Sequence, residues 1–252
     1  MCVDTVLFDM GGTLEDIRYS HEAETFLLPR MAEILGMKPG DFQPDDPREF
    51  YADLTKNFAE YRSFREKTRI EAHPAIVWKD WVLKDQPVSD AAVFDRCEEL
   101  SVFWETEVID RRLREEVPRM LEELKGRGLR LGVISNTGSF TQVHRSLEEY
   151  GIGRYFEEVS LSSIYGIRKP HGFIFLDTLK KMNCSASKAA YVGDTISRDV
   201  VGARNAGFHT AIQINSDFTG ISDQGTVSDS EPDYIVSNLG DIPAIIDRIN
   251  TK

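Results

Sequence analysis

Three polar side chains stand where apolar runs of this chain stop, and a lysine that could join them lies in a polar stretch. Asp9 follows Val3–Phe8, Ser135 follows Leu131–Ile134, and Asp194 follows Ala189–Gly193, while Lys169 lies in the polar stretch Gly166-Ile167-Arg168-Lys169-Pro170. A carboxylate can act as a covalent nucleophile, and a hard divalent cation prefers oxygen ligands. Gathered in one place, such groups can do chemistry on an anion. The question is whether the intervening elements bring them together.

The run Val3–Phe8 is short and rich in β-branched residues, and it ends at Asp9-Met10-Gly11-Gly12-Thr13, where paired glycines permit a tight turn. A strand followed by a functional loop is expected. From about Asp16 to Asp110 the signals are helical. Asp46-Pro47 suits an N-cap and first helical position, followed by Phe50, Leu54, Phe58 and Tyr61 at helical spacing. Ser89 suits a second cap, with Val93, Cys97, Leu100 and Trp104 forming one face.

Beyond this segment strands and helices alternate. Val117, Met120, Leu121 and Leu124 make a helical stripe ending at Gly126 and Gly128, and Leu131–Ile134 is a buried strand. Phe156–Ser160 reads as a weaker strand, Phe175, Leu179 and Met182 as a helix, Ala189–Val192 as a strand, and Asp199–Ala206 as a helix closed by Gly207. The last strands are Ala211–Ile214 and Tyr234–Val236, separated by a polar loop from Ser216 to Glu231. Such alternation implies an α/β fold with a doubly wound, mostly parallel, Rossmann-like sheet. Sheets of this kind bind ligands at the carboxyl ends of their strands, where Asp9, Ser135 and Asp194 stand. The expected division is a core of residues 1–15 plus 111–252 and an all-helical cap of residues 16–110 closing over that edge.

In this order, Asp9-Met10-Gly11-Gly12-Thr13-Leu14, Ser135-Asn136, Gly166-Ile167-Arg168-Lys169-Pro170 and Gly193-Asp194-Thr195-Ile196-Ser197-Arg198-Asp199 resemble the haloacid dehalogenase superfamily of hydrolases. Each motif alone is short, and the four together at strand ends are specific. The insert after the first strand resembles that family's helical-cap class. The resemblance implies that Asp9 is the nucleophile and forms an aspartyl intermediate. It implies that Asp9, the Gly11 carbonyl and Asp194 hold Mg²⁺, which offsets repulsion between nucleophile and phosphate. It assigns phosphoryl binding to Ser135, Asn136 and Thr13, charge stabilisation to Lys169, and a supporting role behind Lys169 or the metal to Asp199.

The chain departs from the family at Gly11, where phosphatases carry a second Asp that protonates the leaving group. Acid/base help is worth roughly 10² to 10⁴ in rate. Three accounts are open: a substrate with a good leaving group such as an acyl phosphate, a substitute acid among Glu15, Asp16 and His21, or lost turnover. Phosphonatase and dehalogenase branches also differ here, but dehalogenases do not need the metal-binding acid, so Asp194 and Asp199 favour Mg²⁺-dependent phosphoryl chemistry. If Gly11 is simply a missing acid, Gly11→Asp should raise phosphomonoester hydrolysis.

The leading expectation is therefore a hydrolase, a phosphatase of a small phosphorylated metabolite. The alternative is a catalytically weak member that binds a phosphorylated ligand or a protein partner. Arg18, Tyr19 and His21 lie near the expected hinge and are candidate substrate contacts. Arg62, Arg65, Lys67 and Arg69 form a basic cluster that either faces an anionic substrate or is a solvated face interleaved with Glu66 and Glu71. Trp78, Trp81 and Trp104 read as cap core.

Composition narrows the partners. Lys plus Arg number 30 against 42 Asp plus Glu, a formal charge of -12, so nucleic acid is not expected. The three cysteines lack metal-ligand spacing, no stretch approaches a membrane span of roughly 20 apolar residues, and the first residues do not resemble a signal peptide. A cytoplasmic monomer or homodimer, away from membranes, is the expectation.

Overall fold

Apolar runs that end in glycine or polar turns become strands, and the helical stripes between them cover both faces of the sheet. The computed structural model describes residues 2–216, 223 and 230–251. Most of the polar stretch Ser216–Glu231 therefore lies outside the described residues.

Two charged segments flanking the insert form strands: β2 (Glu15–Tyr19) follows β1 (Thr5–Phe8), and β3 (Ile109–Leu113) closes the insert. The later strands are β4 (Arg130–Ser135), β5 (Glu158–Leu161), β6 (Ala189–Gly193), β7 (Thr210–Ile214) and β8 (Tyr234–Val236). Six strands make a sheet in the order β5-β4-β1-β6-β7-β8, parallel at every pairing. Phe8 is in register with Val133 on one side and Val192 on the other, so the chain leaves β1, β4 and β6 at the same edge. The mostly parallel α/β fold expected from the alternation is what the chain adopts.

Alternation along β1 divides its side chains between two cores. Val6 and Phe8 join Leu131, Val133 and Val192 beneath α5 (Val117–Gly126), whose Met120 and Leu124 enter the same cluster. Leu7 faces the other way, into a cluster with Ile134, Tyr191 and Phe175 of α6 (Gly172–Lys181).

The insert has a third hydrophobic cluster of its own, with Leu27, Phe50, Leu54, Trp78 and Leu100 among its buried members. Its helices are α1 (Ala23–Leu35), α2 (Pro47–Thr68), the short α3 (Pro74–Ile76) and α4 (Asp90–Phe103). The expected caps form. Asp46 accepts from the Arg48 and Glu49 N–H groups, and Ser89 accepts from Ala92 N–H. Wider π-helical turns extend α3 through Val82 and α4 through Val108.

The insert is not helical throughout. β2 pairs antiparallel with β3, Glu15 opposite Leu113 and Tyr19 opposite Ile109. This ribbon includes residues 16–19 and 109–110, which the sequence reading assigns to helix. It gives little sequence signal, because a two-stranded ribbon of Glu-Asp-Ile-Arg-Tyr and Ile-Asp-Arg-Arg-Leu lacks the apolar runs that mark sheet strands. The helix expected at Asp199–Ala206 begins three residues earlier, as a π-helical turn at Ile196–Val200, and runs on as α7 (Val201–Asn205).

Candidate active site

Asp9 leaves the sheet directly after β1, its backbone N–H still bonded to the Val192 carbonyl at 2.9 Å. The turn behind it needs glycine for a local reason. Gly12 has a positive φ of 83°, and a Cβ there would lie 2.5 Å from Asp194 Oδ2. The close approach of this turn to the carboxylate therefore excludes a side chain. Gly193 is equally constrained, since its Cβ would lie 2.4 Å from the Asp199 Cβ.

These contacts assemble a buried acidic triad, with one carboxylate oxygen each from Asp9, Asp194 and Asp199 within 4.8 Å of one another. Lys169 joins it from the loop after β5. Its Nζ lies 2.8 Å from Asp9 Oδ1 and 2.7 Å from Asp199 Oδ1, and it donates to the Tyr191 hydroxyl at 2.9 Å. Asp199 is further held by the Thr195 backbone N–H at 3.1 Å and by the Thr195 hydroxyl. It thus positions the lysine ammonium against Asp9.

Three buried carboxylates beside one ammonium are electrostatically strained. Burial raises the Asp9 carboxyl above its ordinary range, with Lys169 pulling the other way. Burial, then Asp199 and Asp9, push Asp194 up to about 7. For Asp199 burial is the largest influence and also pushes upward, but Lys169, Arg198 and the hydrogen bonds outweigh it and hold this carboxyl low.

Asp9, Gly11, Ser135 and Asn136 line a cavity of about 210 Å³ that extends beneath the insert. Ser135 ends β4 and is 5% exposed. The Asn136 side chain is committed elsewhere: it accepts from the Lys169 N–H at 2.9 Å and donates to the Lys169 carbonyl at 3.2 Å, fixing the lysine loop. Any phosphoryl contact at this position falls to its backbone. Thr13, assigned to phosphoryl binding from the motif, is fully buried and does not line the cavity.

Of the hinge candidates only Tyr19 lines the cavity. Arg18 alternates to the opposite side of β2 and pairs with Asp110, and the exposed His21 lies off the lining. Of the basic cluster Arg62 and Arg65 line it, whereas Lys67 is exposed and Arg69 pairs with Glu66. Trp78 and Trp104 are core residues of the insert, 1% and 6% exposed, and also form cavity wall.

Three cavity arginines were not singled out by sequence spacing. Arg168 and Arg198 sit inside the quoted motifs, next to Lys169 and Asp199, so their placement was implicit there. Arg111 arrives on β3 and is invisible to local pattern. Its Nη1 bonds Glu15 at 2.9 Å, its other nitrogens bond Glu105, and a Cβ on Gly11 would lie 3.1 Å from its Nη1. A guanidinium therefore stands beside the place where an acid/base Asp would begin.

The proposed substitute acids do not reach this place. Glu15 is buried between Arg111 and the Tyr150 hydroxyl, Asp16 pairs with Arg114 at 3.0 Å, and neither they nor His21 line the cavity.

Comparison with known proteins bears on this arrangement. The sequence pattern of haloacid dehalogenase-like hydrolases matches residues 3–207. Glyceraldehyde 3-phosphate phosphatase of Methanothermobacter thermautotrophicus is 36% identical over 132 residues, 52% of this chain and 54% of that one. Ribulose-1,5-bisphosphate 5-phosphatase of Halopiger xanaduensis is 26% identical over 147 residues, 57% of this chain and 61% of that one. The matched stretch thus spans little more than half the length of these relatives. A solved 2-haloacid dehalogenase from Pseudomonas syringae pv. Tomato superposes with a TM-score of 0.64 at 23% identity, covering 98% of this chain and 99% of the other. A solved phosphatase from Thermococcus onnurineus gives 0.58 at 23% identity, covering 97% and 98%. At this identity the two structures speak to fold alone.

Proposed function

The chain belongs to the haloacid dehalogenase-like hydrolases, and on that premise we propose that it is a Mg²⁺-dependent phosphatase of a small phosphorylated metabolite, with Asp9 as nucleophile. The observation that carries this reading is the buried triad of Asp9, Asp194 and Asp199 with Lys169 Nζ 2.8 Å from Asp9, on the wall of a cavity. The relatives named above are phosphatases of small phosphorylated sugars, and that supports the substrate class.

The donor set suits a hard divalent cation, being all oxygen, and crowding that pushes Asp194 to about 7 is what a bound cation would offset. Asp9, the Gly11 carbonyl and Asp194 would hold it, with Asp199 supporting from behind. When bound, Mg²⁺ supplies positive charge that lowers repulsion between the Asp9 carboxylate and the phosphoryl oxygens.

The chain's own groups do the rest. Asp9 attacks phosphorus, the bond to the leaving oxygen breaks, and water then cleaves the aspartyl phosphate to regenerate the carboxylate. Lys169 favours the ionised form of Asp9 and balances developing charge. Ser135 and the backbone N–H groups after it bind the phosphoryl oxygens. Residues 16–110 act as the cap that shields this edge from water. Three thiols outside any disulfide, Cys2, Cys97 and Cys184, fit a reducing cytoplasm. Among the described residues no helix is long and apolar enough to cross a membrane.

Metal dependence has a definite sign in pH. The Asp194 carboxyl titrates near 7 in the folded chain against an ordinary 3.8, so between these values the metal-free fold binds more protons than the unfolded chain. Its stability therefore falls as pH rises through that window. Protons compete with metal below about 7, at roughly tenfold in apparent affinity per pH unit. Thermal melts should show strong Mg²⁺ stabilisation near pH 8 and little near pH 5.5, and equal stabilisation at both would exclude Asp194 as a ligand.

Gly11 shapes the substrate. Arg111 and Ile17 occupy the space beside it, so an Asp introduced there would pair with the guanidinium and remain ionised. Gly11→Asp is now expected to raise phosphomonoester turnover less than about threefold, far below the roughly 10²-fold available to a working acid. Kinetics on phenyl phosphate check this, and a large gain would show that Gly11 is simply a missing acid. With Glu105 on the lining but bound to Arg111, substrates whose leaving group needs little protonation, such as acyl phosphates, fit best.

The reading is tested by Mg²⁺-dependent phosphate release from a panel of phosphate esters and acyl phosphates. Turnover that is metal-dependent and strongest on acyl phosphates is expected. Flat activity across the panel would favour a ligand-binding role instead.

A further inference from the structure

The cavity wall under the insert differs in charge from its acidic end. Arg62 and Arg65 stand one turn apart on α2 and both line the cavity. Among the described residues the Arg62 side chain makes no ion pair or hydrogen bond. Arg65 lies 3.8 Å from Glu71, and its Nε is buried with no hydrogen-bond partner among the described residues.

Nearby carboxylates are already used. Glu71 accepts from Arg168, Tyr61 and Ser162, and Glu66 pairs with Arg168 and Arg69. Arg168 itself is depressed to about 10, by burial and next by the positive charge of Arg65. In a chain of net charge -12, this corner holds more cations than its acids balance.

The same cavity has an apolar wall. Phe58 and Trp104 stack on each other with centroids 3.9 Å apart and an interplanar angle of 28°, Trp78 stands edge-on to both, and Ile17 also lines the cavity. Bare phosphate would leave both the arginines and the aromatics without an occupant.

We infer that the substrate carries a second anionic group, a carboxylate or a second phosphoryl, on a carbon skeleton that meets the apolar wall, and that Arg62 and Arg65 select it. This rests on the phosphatase reading for the end of the ligand at Asp9. Guanidinium forks match either anion in a two-bonded geometry, while the rings of Phe58 and Trp104 take the carbon skeleton.

The test is calorimetric binding to the full Mg²⁺-loaded chain of three non-hydrolysable probes: phenylphosphonate, 4-carboxyphenylphosphonate and 1,4-phenylenebisphosphonate. One of the doubly anionic probes should bind at least about tenfold more tightly than phenylphosphonate, the gain of one charge-assisted pair, and which one does so identifies the anion. That ratio should collapse to within about twofold in Arg62→Gln/Arg65→Gln and persist in Lys67→Gln, whose side chain lies off the cavity. Arg62→Gln alone removes no side-chain ion pair or hydrogen bond among the described residues, so it reports even if the double variant is unstable, and should lose at least about threefold of the ratio. Equal binding of all three probes, absence of binding by any, or an advantage that survives in the variants would overturn the inference. Mg²⁺-dependent hydrolysis of an acyl phosphate tests the phosphatase reading separately, and either result there leaves the binding ratios decisive for Arg62 and Arg65.

Discussion

Asp9→Asn should reduce turnover by at least about 10⁴-fold while the fold persists, because an amide is no nucleophile toward phosphorus and in the proposed reaction this carboxylate starts the chemistry. The geometry explains why the protein survives the change. Asp9 Oδ1 accepts from Met10 N–H at 2.7 Å and from Lys169 Nζ at 2.8 Å, and the amide oxygen of Asn can accept both. One of three crowded buried negative charges is also removed, so Asp194 becomes easier to ionise. Initial rates on an acyl phosphate, with circular dichroism and melting as controls, check both halves. A variant retaining even a tenth of the wild-type rate would exclude a covalent route through this residue.

Glu71→Ala should be the most damaging substitution outside the triad. Glu71 is 2% exposed and lies between α2 and α3, where one carboxylate accepts from Tyr61 at 2.8 Å, Ser162 at 2.8 Å and Arg168 at 2.9 Å. It thereby ties the insert to the loops after β5, helped by Glu71 N–H donating to the Gly166 carbonyl at 3.0 Å. Removing one partner of a buried pair leaves the other charge uncompensated, at about 3 to 5 kcal/mol. For a chain of this size that is a fall in Tm of roughly 6 to 20 °C. Arg168 is adjacent to Lys169, so turnover should fall as well. Calorimetry checks the prediction. Glu71→Gln, which keeps the shape, should cost less, and a loss below about 1 kcal/mol for Glu71→Ala would show the network to be dispensable.

What the sequence made legible follows from how local each signal is. β1, β4 and β6 are continuous apolar runs that stop at Asp9, Ser135 and Asp194, and a parallel sheet requires such ends to share an edge. The helix caps at Asp46 and Ser89 depend on neighbours two or three residues away, so they too were readable. Non-local pairing was not. Arg111 meets Glu15 across 96 positions, and the ribbon that brings it there has no apolar run to announce it.

The same reason hid Glu98, whose carboxylate reaches from α4 to accept from the Ser139 hydroxyl at 2.6 Å and from the Phe140 and Thr141 N–H groups at 2.9 Å each. It is a second tie between the insert and the loop that follows Ser135. Thr13 and Asn136 show the limit of motif position: one is buried off the cavity, and the side chain of the other is spent on the backbone of Lys169.

The central claim is that Asp9 becomes phosphorylated during turnover. Borohydride reduces an acyl phosphate to the alcohol and leaves a free carboxylate untouched, so it can record the intermediate chemically. An acyl phosphate substrate is mixed with excess enzyme and Mg²⁺, quenched within one turnover and reduced, and the peptide that contains Asp9 is then sequenced by mass spectrometry. The account predicts homoserine at position 9 and at no other acidic residue. Phosphate release that proceeds through the first turnover while position 9 remains an unmodified aspartate at every quench time, or homoserine elsewhere, would contradict it.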